Sequence, residues 1–333
     1  MRYRRIALPA VMSVVFATLA VRMVRPHAAD LGQAMARMRL EYLGLYVVIT
    51  AAAQMLRTLR WATMLQVIGK TPFRRILPVS FVGYMATFTV PTVGELVRPV
   101  LIRQEGGLRG SAALATVVVE RIVDGLIVAM GALAAFWPLR SRPDAPPWID
   151  LLCFGTLLFF GGALVVIALL RWKSGGAVRL VQGAASRISR RLGERAGSVL
   201  GTFLDGIGAL PNSRTAVIVI LYSLGYWLLN ASAMQVLALG FDLHLGWQAT
   251  WGTIGLIVVG FFIPSLAQVG TFHVFCATGL AVFLGATPEG TRLAYVVTLH
   301  AAQVVFFVGA GLIALFSGHV GLTPLKRMEM DQP

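Results

Sequence analysis

The sequence predicts an all-α polytopic membrane protein, and three observations carry that prediction. Hydrophobic residues make up 57% of the 333 residues and charged ones only 13%, with a mean hydropathy of +0.77, values that exclude a soluble domain of this length. Apolar runs close to the about 20 residues needed to span a bilayer recur along the chain. Two further apolar segments are interrupted at their middles by Pro and Gly, one in each half: TFTVPTVGELVRPVLI (87–102) and GFFIPSLAQVGTFHVF (260–275).

The first expected helix, 5–24, follows the basic start MRYRR. Its charge and length resemble a signal peptide, but Pro9 interrupts the apolar run and no small-x-small triplet follows cleanly, so an uncleaved helix is expected. Further crossings are expected at 43–67, 112–138, 149–170, 214–238 and 291–316, about six full transmembrane helices in all. The broken segments, 76–102 and 248–285, are each long enough for two half-helices that enter and leave on one side. Irregular backbone at membrane depth survives only where protein or a wet cavity covers it, so these re-entrant hairpins should face the interior.

With the N-terminus in the cytoplasm, most of the 29 Lys and Arg fall in cytoplasmic loops, although Arg22, Arg25, Arg37 and Arg39 lie in the first outer loop. The two hairpins then dip in from opposite faces, as an inverted pseudo-repeat. ALATVVVERIVDGLIVAMGALAAF (113–136) aligns without gaps on RLAYVVTLHAAQVVFFVGAGLIAL (292–315), setting Arg121 opposite His300 and Asp124 opposite Gln303. Residues 1–325 thus read as one integral membrane domain with halves 1–170 and 214–316, followed by a short cytoplasmic tail, 326–333. Between the halves, 177–210 spaces Val178, Val181, Ala185, Ile188 and Leu192 helically among Arg179, Arg187, Arg190, Arg191 and Arg195. An amphipathic helix on the cytoplasmic leaflet and a plain linker both fit that pattern.

The net charge of +15 is read as basic loops that orient the protein and touch anionic lipid, since no nucleic-acid motif accompanies it. Cys153 and Cys276 lie in apolar surroundings, which argues against a disulfide framework. Gly106, Gly107 and Gly110 precede no Gly-Lys-Ser/Thr and look like a turn. His273 and Cys276 alone do not make a zinc site, so neither metal nor cofactor is expected.

The chemistry is therefore sought among polar residues at membrane depth, where each ionisable group costs about 2.5–3.5 kcal/mol on insertion scales. Gln54, Arg57 and Arg60 share one broad side of the second helix. Glu95 and Arg98 follow the first break, and Glu120, Arg121 and Asp124 sit together on 112–138. Pairing among these seven charges is the plainest role for them, with Glu95–Arg98 and Arg121–Asp124 at i, i+3 spacing. Four arginines against three carboxylates leave one positive charge over. That surplus suits an anion, and the planar guanidinium fork suits phosphate. Half-helices starting after the breaks at Pro91 and Pro264, near Gly94 and Gly270, would add backbone N–H groups. A phosphate-bearing lipid headgroup combines such a charge with tails that stay in the bilayer. His273, His300 and Gln303 are candidates either to bind that headgroup or to hydrogen-bond within the bundle.

LRTLRWATML (56–65), VPTVGELVRPVLI (90–102), VERIVDGL (119–126) and IPSLAQVGTFHVF (263–275), in this order, resemble the membrane domain of lysylphosphatidylglycerol synthases and the stand-alone flippase-like proteins grouped with it. The resemblance implies an integral inner-membrane protein with re-entrant hairpins in pseudo-symmetric halves that moves lipids or glycolipids between leaflets. It puts Arg57, Arg60, Trp61, Glu95, Arg98, Glu120, Arg121 and Asp124 on the family's recurrent polar positions. The second hairpin departs from the family, with Ala267 and Gln268 where relatives commonly show Pro-Gly. The soluble aminoacyl-transferase domain of the full synthases is not expected either, so the protein should not make lysyl-lipid itself.

Two functions remain in view. One is transbilayer movement of an anionic phospholipid, glycolipid or polyprenyl-phosphate-linked lipid through a central arginine-lined cavity. The other is a membrane enzyme or enzyme subunit acting on a lipid-linked substrate, with Glu95, Glu120 or Asp124 as general base. No catalytic or nucleotide-binding motif favours the second. Membrane lipids are the expected partners, nucleic acid is not, and a homo-oligomer is left open.

Overall fold

In the computed structural model, the described residues are 2–89, 91–106, 110–140, 148–172, 213–263 and 265–317, with scattered positions between 179 and 198. They form eleven helices among the described residues: α1 (Arg2–Val24), α2 (Ala28–Ala36), α3 (Leu40–Ile68), α4 (Phe73–Thr89), α5 (Pro91–Gly106) and α6 (Gly110–Phe136), then α7 (Trp148–Trp172), α8 (Ser213–Leu239), α9 (Trp247–Gly260), α10 (Thr271–Phe283) and α11 (Glu289–Phe316). Helices satisfy every backbone group within their own segment, which hydrocarbon surroundings demand. Many large apolar side chains stay exposed, among them Val48, Leu151, Leu158, Val305, Ile313 and Phe316. Such a surface is matched to lipid tails rather than water.

Each of the six expected crossings coincides with a helix: α1, α3, α6, α7, α8 and α11. Among the described residues, five segments have the length and hydropathy of a span: Leu40–Ile68, Gly110–Leu139, Arg214–Leu239, Leu266–Phe283 and Glu289–Phe316. Leu266–Phe283 lies within the second broken segment. Its continuous helix, α10, has 13 residues, short of the about 20 a crossing needs. The stretch 177–210 lies almost wholly outside the described residues, apart from points such as the Arg190–Glu194 pair at 3.2 Å. The tail 326–333, Pro264 and the side chains of Pro91 and Cys153 also lie outside them.

Both broken segments fold into antiparallel helical pairs. In the first, a Cβ on Gly94 would fall 2.1 Å from the Thr87 nitrogen and one on Gly83 would fall 2.1 Å from Arg98 Cγ. Positions equally far from the break thus face one another. Glycine is required at 94 because two backbones touch there, and at 83 because the arginine stem occupies the space a side chain would need. In the second pair, Gly260 meets the Phe275 ring and Gly252 meets Phe283, again matching positions outward from a turn. Ala267 and Gln268 in that turn have φ of 48° and 57°, a left-handed conformation that L residues with a Cβ adopt at a cost. This is where the sequence departs from Pro-Gly. Gly270, at φ +84°, leaves no room for a side chain because α1 crosses it at Phe16 and Ala17.

The halves exchange packing partners. α6 of the first half packs on α9 of the second, α11 of the second packs on α4 of the first, and α3 packs along α8. The α3–α8 contact is antiparallel: the Arg39 N–H donates to the Gly240 carbonyl at one end, and Arg60 reaches Ser223 further along.

Candidate functional site

α3, α5, α6 and α8 bring the predicted charges into one cluster, buried except at Arg121 and Glu95. Arg60, completely buried, donates from Nη1 and Nη2 to the two carboxylate oxygens of Asp124 at 2.6 and 3.0 Å. Its Nε reaches Glu120 Oε1 at 3.3 Å and its Nη1 also reaches Ser223 Oγ at 2.8 Å. Glu120 turns its other oxygen to Arg98 Nη2 at 2.9 Å. Asp124 accepts a further hydrogen bond from Trp227 Nε1 at 3.1 Å. The short pairs therefore run between helices. The pairs expected along one helix also form, but they are longer: Glu95–Arg98 at 3.5 Å and Arg121–Asp124 at 3.4 Å. Glu95 Oε1 lies 3.6 Å from Arg121, so this carboxylate stands between two arginines and grips neither.

Among the described residues, Arg57 has no carboxylate within ion-pair distance. It is only 7% exposed, and its guanidinium lies 4.4 Å from the Tyr84 ring centroid and 5.7 Å from that of Tyr226. Arg98 shares Tyr84 at 5.3 Å and stacks on Trp61 at 4.9 Å. Aromatic faces attract a desolvated cation but do not neutralise it. Unpartnered buried polar atoms gather around the same place: Arg57 Nε, Arg98 Nε and Nη1, Glu95 Oε2, and both ends of the Gln54 amide one turn before Arg57. Buried polar atoms are rarely left unpaired in a dry core. The surplus charge that counting revealed resides on Arg57, among buried donors and acceptors without partners.

Residues 6–311 match the family described as the lysylphosphatidylglycerol synthase TM region. The chain belongs to that family. No curated protein matches it. The family assignment makes it a multi-pass membrane protein from a group related to lipid modification or transport.

Within this lysylphosphatidylglycerol synthase TM region, the two predicted histidines form a second group. His273 and His300 meet edge to face at 4.7 Å between ring centroids, and Phe272 stacks on His300 at 5.0 Å. His300 Nε2 lies 3.0 Å from the Ala267 carbonyl, and Gly270 N–H donates to His273 Nδ1 at 3.4 Å. Both histidines thus hold the second turn. Gln303 lies within reach of the Tyr46 hydroxyl. Among the described residues, no hydrogen bond, ion pair or ring contact joins His273, His300 or Gln303 to the arginines. Arg121 and His300, set opposite one another by the internal alignment, have different surroundings, one among charges and the other among rings.

Sequence reasoning missed five participants. Tyr84 and Gly83 lie in the first hairpin, and Ser223 and Trp227 come from α8, with Tyr226 beside them. YSLGYW (222–227) does carry a signal, since Ser223, Tyr226 and Trp227 recur at i, i+3, i+4 on one side of the helix.

Proposed function

We propose that the protein binds the phosphate of an anionic lipid at Arg57 and moves that lipid between leaflets. The observation that carries the reading is the buried cation without a carboxylate, set among unpaired donors at Gln54 and Arg98. A desolvated, unpaired charge is costly unless a ligand completes it. The loose contacts of Glu95, with 23% of its side chain exposed, allow Arg121 to turn toward an incoming anion. Glu120 and Asp124 are already engaged by arginines, which supports a binding role over general-base chemistry.

Movement rather than binding alone is supported by the exchanged packing of the halves. α3 and α8, each of which precedes the broken segment of its half, pack antiparallel, which supports a pseudo-two-fold axis in the membrane plane, the arrangement of inverted-repeat transporters. The half-helices α4, α5, α9 and α10 have 17, 16, 14 and 13 residues, shorter than the about 20 of a full crossing, which supports re-entrant hairpins. We place the protein in the inner membrane with its N-terminus in the cytoplasm, on the distribution of Lys and Arg. The test is leaflet exchange of labelled lipids in proteoliposomes, with native mass spectrometry of the gently purified protein. Exchange of anionic phospholipid well above that of a zwitterionic one, with an anionic lipid retained, is expected. Equal exchange of both, or retention of no phosphate-bearing lipid, refutes the reading.

A further inference from the structure

An apolar groove of about 550 Å³ runs between α7 and the α9–α10 pair, lined by Trp148, Gly155, Phe159, Phe160, Phe262 and Phe275 among others. It lies within the size range of small-molecule sites. From Trp148 to Phe160 it follows twelve residues of helix, about 18 Å at the helical rise, close to the about 15 Å of hydrocarbon in one leaflet. Its two ends differ. At one, Trp148 meets Phe136 at the end of α6, 5.9 Å between ring centroids, and tryptophan favours the membrane–water interface. At the other, Phe159 and Phe160 close on Phe262 at 5.8 and 6.2 Å.

That closed end abuts the charge cluster. Phe160 lies directly on Gly125, where an added Cβ would fall 2.1 Å from its ring. Gly125 is the residue after Asp124 and one turn beyond Arg121 on the same side of α6, so the two positions are about 5–6 Å apart. Arg121 keeps 39% of its side chain exposed and holds its carboxylates only at 3.4 and 3.6 Å. A cation open to exchange thus stands at the head of an apolar channel as long as half a bilayer.

We propose that this groove seats one hydrocarbon chain of the anionic lipid while its phosphate, before or after its binding at Arg57, lies at mid-membrane beside Arg121. The inference rests on the anionic-lipid reading above and adds what the ligand must carry: a long hydrocarbon chain, not a phosphate alone. It also sets an orientation. The chain runs from mid-depth toward Trp148, as in lipids of the leaflet on the Gly110 side of α6, displaced halfway across the membrane.

Two measurements decide it. An anionic phospholipid carrying a diazirine at its chain terminus is expected to label the protein between Trp148 and Gly155. The same lipid with the diazirine next to the ester is expected to label around Phe159 and Phe262. The reverse order is that of a surrounding lipid of the opposite leaflet, and it overturns the proposal, as does an unlabelled groove. A side chain at Gly155 meets nothing within 4 Å, and the same holds at Gly161, so Gly155→Trp plugs the groove while Gly161→Trp controls for a tryptophan elsewhere on α7. Gly155→Trp is expected to slow exchange of a long-chain anionic lipid at least about tenfold, the equivalent of roughly two methylenes of lost burial, with Gly161→Trp near the parent rate. Undiminished exchange in Gly155→Trp overturns the proposal. A parent protein that moves no lipid refutes the transport reading instead, and the labelling order still decides the groove.

Discussion

Arg57 and Arg60 lie one turn apart on α3 and are both buried, yet replacing each by glutamine has different expected consequences. Arg60→Gln removes the bidentate partner of Asp124 and one partner of Glu120, leaving Asp124 with the Trp227 indole bond and the longer contact from Arg121, and Glu120 with the bond from Arg98. Breaking a buried ion pair on one side costs about 3–5 kcal/mol. At roughly 2 °C per kcal/mol for a chain of this size, thermal unfolding in detergent should fall by about 6–10 °C. Arg57→Gln leaves no carboxylate unpaired. It forfeits the Tyr84 contact, about 0.5–2 kcal/mol, and is relieved of a desolvated cation without a counter-charge, so the net change is expected within about 1 kcal/mol, or about 2 °C. Exchange of anionic lipid in proteoliposomes should nevertheless be lost. Arg57→Lys should restore only part of it, because an ammonium lacks the planar fork. If Arg57→Gln destabilises as much as Arg60→Gln, or exchanges lipid at the parent rate, Arg57 is a structural residue and the anion site lies elsewhere.

Three further outcomes are expected. Ala267→Gly should raise the melting temperature, because it removes a left-handed conformation costing about 1–2 kcal/mol against about 0.5–1 kcal/mol of added chain entropy; an unchanged or lower value contradicts the strain at φ 48°. Trp227→Phe keeps the ring and deletes only the donor to Asp124, so a loss of about 1.5–3 kcal/mol is expected for a bond to a charged acceptor, and no measurable change in thermal stability would mean that water replaces it. Single cysteines at the exposed positions Lys70 and His244, in a background lacking Cys153 and Cys276, should react with an impermeant thiol reagent from opposite sides of the membrane, with Glu289→Cys following His244→Cys. Reaction of Lys70→Cys and His244→Cys from one side removes the inverted arrangement.

The sequence by itself determined the fold class, the two breaks and the set of charges, and the reason is the solvent. A bilayer makes every polar residue at depth expensive, so Arg57, Arg60, Glu95, Arg98, Glu120, Arg121 and Asp124 stand out against aliphatic neighbours, and counting them reveals one unmatched cation. Local spacing, however, reports only neighbours along a helix. It pointed to Glu95–Arg98 and Arg121–Asp124, while the shorter bonds join Arg60 to Asp124 and Arg98 to Glu120 across helices. Which arginine carries the surplus depends on how α3, α5 and α6 are rotated about their axes, and that rotation is set by packing: Gly83 and Gly94 let α4 and α5 touch, and Ser223 and Trp227 arrive from a helix more than 100 residues further along the chain. Only the tertiary structure left Arg57 without a carboxylate and set Phe160 against Gly125, because both facts depend on the direction side chains take between helices, which a linear pattern does not contain.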